Sequence, residues 1–166
     1  MRIGSRIVAV ICLSLLAAGC GITGVEIVSP EYAARPVEPL NPQAALAEVN
    51  EFRKVNGAPP LVLDAHLMRA AAMQAEDQAR RGSMGHDGSD GSRPMDRAIR
   101  AGYHPKIASE NVAAGYKSFS DVMRGWEGSS GHRENLLRPN VKAIGVGMSQ
   151  SSSGRPYWSM VLGAER

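Results

Sequence analysis

The chain has 166 residues, 43% hydrophobic and 21% charged, which suits one packed domain with short appendages and excludes a disordered or multi-spanning protein. Its formal charge is +3, from 19 basic and 16 acidic residues. With no run of Lys and Arg anywhere, no nucleic-acid partner is expected.

The chain opens with Arg2 and Arg6, an apolar run over residues 7–18, and the small residues Ala17, Ala18 and Gly19 before Cys20. This order of basic, apolar and small regions predicts an export signal over residues 1–19. The apolar run is too short for a hydrocarbon core of ~30 Å, which takes about 20 helical residues. Cys12 lies inside the run and would leave with it, so Cys20 would stand alone and no disulfide framework could form. A lone cysteine directly after a small-residue site resembles the lipobox of bacterial lipoproteins, although Ala17 stands where that motif most often has Leu. The resemblance implies an acylated Cys20 that binds membrane lipid, and an envelope location on the outer membrane or the outer face of the cytoplasmic membrane. Gly21 after the cysteine implies the outer membrane where sorting exists.

Residues 20–40 carry Pro30, Pro36 and Pro39 with little periodicity, and are read as an extended tether. Asn41-Pro42 predicts a helix start, with Ala45, Val49 and Phe52 on one face and a stop at Gly57-Ala58-Pro59-Pro60. Asp64 is read as the N-cap of a second helix ending near Arg81-Gly82, with Leu67, Ala70, Ala71, Gln74 and Ala75 inward. Gly, Ser and Asp around His86 predict a loop over residues 85–91. A short helix over residues 94–100 precedes a short strand or bridge at residues 108–112. Ser118 starts a further helix with Phe119, Val122, Met123 and Trp126 on one side, stopped by residues 129–131. Residues 143–148 and 157–162 form a terminal antiparallel hairpin. Helices interleaved with short strands predict an α+β domain over residues 41–166.

Several blocks in this order resemble the CAP superfamily, which includes cysteine-rich secretory proteins, insect venom antigens and plant pathogenesis-related proteins, in its small bacterial form. They are Val49-Asn50-Glu51-Phe52-Arg53, Gly85-His86, Arg97, Ala101-Gly102-Tyr103, Ser109-Glu110-Asn111-Val112-Ala113, Trp126 with Ser130-Gly131-His132-Arg133-Glu134-Asn135, and Gly145-Val146-Gly147 with Tyr157-Trp158. The resemblance implies a three-layer α-β-α sandwich with a small antiparallel sheet between helices. It also implies a cleft lined by His86, His132 and Glu110. Two imidazoles and a carboxylate are a reasonable ligand set for zinc with an open position for water; the plainer alternative is that His86 and Glu110 form a hydrogen-bonded pair that closes a loop over the sheet. The second acid that the family's eukaryotic members carry three residues after the tryptophan is Ser129 here, with Glu127 and Glu134 close in sequence as the candidates to replace it. Asn111 is read as a fold residue that satisfies backbone near the cleft, and Ser129 and Glu134 as further cleft support. Trp126 and Trp158 are read as core, His66 and His104 as surface.

No G-x-S-x-G, zinc-deaminase cysteines or calcium loop accompanies these residues. The function that the family resemblance implies, and the favoured one, is a non-enzymatic binding module for a small apolar, lipid-like or cell-envelope ligand. The alternative is a metal-dependent, peptidase-like hydrolase with Glu110 polarising a water held by His86 and His132. A third reading is a structural envelope protein with a vestigial cleft.

Overall fold

The computed structural model describes residues 34–166, so the signal over residues 1–19, the acylation at Cys20 and most of the tether lie outside the described residues. Residues 35–166 form a compact unit. Within it, Glu38 N–H donates to the Lys117 carbonyl at 2.7 Å and Leu40 packs on the core, so the last residues before the first helix lie against the domain.

Helix α1, Pro42–Val55, starts where Asn41 accepts from the amides of Gln43 and Ala44, and it buries Ala45, Val49 and Arg53. Strand β1, Val62–Leu63, leads into α2, Ala65–Arg81, capped by Asp64 at its start and by left-handed Gly82 at its end. A side-chain acceptor at one end and a residue without Cβ at the other satisfy groups the helix cannot pair itself. The short α3, Pro94–Arg100, precedes β2, Pro105–Ala114. Then come α4, Phe119–Glu127, and α5, Ser130–Leu137. The chain closes with β3, Ala143–Gln150, and β4, Pro156–Glu165.

The sheet order is β1-β3-β4-β2, antiparallel except where β1 runs parallel to β3. Side chains alternate between its faces. On β4, Trp158, Met160 and Leu162 join a core with Ala45, Val49 and Trp126, whereas Val161 joins a second core with Leu67, Ala71 and Tyr103. One core lies under α1, α4 and α5, the other under α2 and α3, which makes the three layers. Gly145 and Gly147 of β3 lie directly beneath α2: a Cβ on Gly145 would overlap the backbone of Leu67 and Met68, and one on Gly147 would come 2.5 Å from the Ala71 carbonyl carbon. Only glycine lets the helix sit this close.

Arg53 is buried without a carboxylate. It donates to the carbonyls of Pro59, Leu136 and Arg138 at 2.6 to 3.2 Å, and so joins the end of α1 to the end of α5. A cation at the carbonyl end of α5 is also favoured by that helix's dipole.

Three elements differ from the sequence reading. The short strand or bridge expected at residues 108–112 is the middle of a ten-residue strand, because its length is set by pairing with β4. The expected stop at residues 129–131 is one residue of extended chain, Ser129, after which α5 begins; α5 buries only Leu136, so it shows little apolar periodicity. His66, expected at the surface, is partly buried with Nδ1 2.8 Å from the Ala101 carbonyl oxygen, whereas His104 is exposed.

Candidate functional site

The site is built on β2, the edge strand. Glu110 and Asn111 are consecutive, so they point to opposite faces: Glu110 lies opposite Val161, Asn111 opposite Met160. Each anchors one wall.

The first wall is the loop after α2. His86 Nδ1 donates to Glu110 Oε1 at 2.9 Å, while Oε2 accepts from Arg97 at 2.8 Å and from the Ser159 hydroxyl at 3.2 Å. Both members of the Arg97–Glu110 ion pair are almost fully enclosed, at 3% and 1% side-chain exposure. Arg97 also donates to the carbonyls of His86 and Ser92, so one guanidinium fixes both the carboxylate and the backbone that carries the histidine. Farther along the loop, Asp77 accepts from the Ser89 amide and hydroxyl and pairs with Arg80 and Arg81. Burial opposes ionisation of Asp77, but the Ser89 hydrogen bonds and the arginine charges outweigh it and hold the group below the usual carboxylate range.

The second wall is α5. Asn111, fully buried, donates to the His132 carbonyl at 3.0 Å, and its own oxygen accepts from Asn135 at 3.0 Å. Asn135 also donates to the Glu110 carbonyl at 3.2 Å, and the Trp126 indole donates to the Val112 carbonyl at 3.1 Å. Two carbonyls of the edge strand are thus satisfied by side chains. His132 Nδ1 lies 2.9 Å from Ser129 Oγ, and its ring packs on Trp126 at 6.3 Å between centroids. Trp126 and Trp158 are both buried in the core.

Of the residues singled out from the sequence, His86, Glu110, Asn111, Ser129 and His132 therefore join one connected arrangement. Glu134 does not: its side chain is 78% exposed and faces Arg138. Arg97 and Ser159 acquired no role from the sequence alone. An arginine next to Ala98 on the inward side of a short helix is the one local sign that buried acceptors must meet it.

The two imidazoles are pushed in opposite directions. The Glu110 hydrogen bond raises His86, against burial and with help from the Glu110 charge; burial lowers His132, and the nearby His86 adds to the effect. Both Nδ1 atoms are engaged, which leaves Nε2 as the free nitrogen of each ring. Protonated His86 therefore favours the fold below the ordinary histidine value of about 6.5, a contribution lost as pH rises through its raised value. Neutral His132 favours the fold above that value, a contribution lost as pH falls through its lowered one. An NMR titration of the ring Cε1–H signals is expected to place the His86 midpoint above that of His132. The reverse order would refute the Glu110–His86 hydrogen bond.

Zinc held by His86, Glu110 and His132 together does not fit this geometry. Both carboxylate oxygens are occupied, one by a buried guanidinium, and no group of three or more His, Cys, Asp or Glu that could hold a metal ion occurs among the described residues. Glu110 instead orients His86.

Comparison with known proteins agrees with this architecture. The model of the cysteine-rich secretory protein family, CAP, matches residues 46–162. The chain is 35% identical over 104 residues to the uncharacterized protein YkwD of Bacillus subtilis, a match that spans 63% of this chain and 40% of that protein. It thus spans well under half the length of this curated relative. An outer surface protein of Borrelia burgdorferi superposes with a TM-score of 0.69 at 21% identity, covering 75% of this chain and 92% of that one. An extracellular protein of Bacillus anthracis containing an SCP domain gives 0.69 at 23% identity, covering 77% and 45%. These two share the fold. With the family model matched over most of its length, and with helices on both faces of the sheet, the chain belongs to the cysteine-rich secretory protein (CAP) family.

Proposed function

We propose that this chain is an extracytoplasmic CAP-domain lipoprotein, held to the membrane by acylated Cys20, whose domain is a non-enzymatic binding module for an apolar, lipid-like or cell-envelope ligand. The leader supports export and anchoring, and the outer-surface and extracellular descriptions of the two structural relatives support export. Among the described residues no helix is long and apolar enough to cross a membrane.

The observation that carries the binding reading is the saturation of Glu110. A carboxylate that already accepts from Arg97, Ser159 and His86 positions a histidine, and is not free to take a proton from water. The competing reading, a metal-dependent hydrolase, rests on the free Nε2 atoms of His86 and His132.

Metabolic labelling of the full chain with an alkyne fatty acid is expected to mark it, and Cys20→Ala to abolish the label and release the protein from the membrane fraction. Persistence of the label would overturn the anchor. Native mass spectrometry of the purified chain with an envelope lipid extract, repeated on His86→Ala/His132→Ala, is expected to show lipid adducts that survive the substitutions. Stoichiometric zinc together with peptide turnover lost in that variant would instead establish the hydrolase.

A further inference from the structure

A cavity of about 580 Å³ opens where β1, β3 and β4 meet the start of β2, and neither His86 nor His132 lines it. Its volume is that of a small-molecule site. Three observations distinguish it from an ordinary surface hollow. Tyr103, 2% exposed, lies in its lining, and the phenol hydroxyl has no hydrogen-bond partner among the described residues. Its ring rests on Gly163, where a Cβ would come within 2.7 Å. Burial, helped by the charges of Glu165 and Asp64, pushes this phenol up to about 12, so it stays a donor.

The second observation is a register shift. Pro105 and Ile107 pair with the consecutive residues Glu165 and Ala164, so Lys106 has no partner on β4. A bulge of this kind re-aims the side chain it carries, and Lys106 lines the cavity. The third is charge. Lys106, Lys142 and Glu165 all line the cavity, yet none forms an ion pair with another or with any described residue. Asp64, also in the lining, is occupied in capping α2. Val62 and Ile107 add apolar wall.

We propose that this cavity binds a zwitterion of the amino-acid class, either a free amino acid or a whole dipeptide. Lys106, Lys142 and the Tyr103 hydroxyl take its carboxylate, Glu165 takes its ammonium, and Val62 and Ile107 pack on its side chain. A simple anion would leave Glu165 unmatched, and a simple cation would leave the two lysines unmatched. The site lies apart from the His86 groove and does not depend on the function proposed for it.

The test is a titration of the full chain, followed by amide NMR, with four probes: L-leucine, L-alanyl-L-alanine, N-acetyl-L-leucine and acetate. Saturable shifts around Tyr103, Lys106 and Lys142 are expected with leucine or the dipeptide. The stronger of the two tells whether a free amino acid or a dipeptide is the preferred ligand. N-acetyl-leucine and acetate are expected to bind at least about tenfold more weakly, since each lacks the ammonium. Lys142→Ala is expected to weaken the best zwitterion about tenfold, and Tyr103→Phe, which keeps the ring, to weaken it by a smaller factor. Acetate or N-acetyl-leucine binding as well as leucine would overturn the proposal. So would the absence of saturable shifts with both zwitterions at millimolar concentration, or unchanged affinity in Lys142→Ala.

Discussion

Glu110→Ala is expected to be among the most destabilising single substitutions in the domain, costing about 3–5 kcal/mol because it leaves a buried guanidinium without its counter-charge. Arg97 would keep its hydrogen bonds to the His86 and Ser92 carbonyls but lose its ion pair, and Ser159 and His86 would lose an acceptor. Against a typical domain stability of about 5–15 kcal/mol, that is a large share. Urea denaturation at neutral pH measures it. Glu110→Gln keeps the size but not the charge, and is expected to lower the His86 midpoint toward the ordinary value as well as weaken the fold. The double replacement Arg97→Met/Glu110→Met should be more stable than Glu110→Ala, because no charge is then stranded. A double variant as unstable as the single one would mean that the damage comes from lost packing.

Gly145→Ala is expected to cost about 3 kcal/mol or more by overpacking. The new methyl group would meet the backbone of Leu67 and Met68, not the tip of a flexible side chain, so relief requires α2 to lift from the sheet. That movement would open the core around Leu67, Ala71 and Val161. Gly131→Ala is the matched control. Nothing lies within 4 Å of its added Cβ, and alanine in helix α5 is expected to be neutral or stabilising by up to about 1 kcal/mol. Chemical denaturation of the pair reads the contrast directly, and equal stability of the two variants would contradict the close seating of α2 on β3.

The same contrast between local and distant causes decides what could be read from the chain. Asn41, Asp64 and Ser118 act on amides two or three residues away, so the helix starts were legible from residue type and spacing. The inward face of α2 was legible for the same reason: Leu67, Ala70, Ala71, Gln74 and Ala75 repeat at the helical period, and all are buried. The full length of β2 was not, because β4, about fifty residues later, decides where pairing ends. α5 was missed because Gly128 and Ser129 signal an ending and a beginning with the same residues. In the groove, His86, Glu110 and His132 came from the family resemblance, and the structure joins them through groups that no spacing reveals. Arg97 meets Glu110 only because α3 folds beneath β2, and Ser159 does so only through strand register. The Arg97 contact is what turns a plausible zinc ligand into a histidine support.

The outermost strand has one more consequence. Its backbone acceptors at Glu110 and Val112 are covered by the Asn135 amide and the Trp126 indole, so along this stretch it offers a guest chain little to zip onto. Aggregation by strand addition is discouraged there. Whatever docks at this rim must be recognised by protruding side groups, above all the outward ring nitrogens, and its selectivity will follow their protonation.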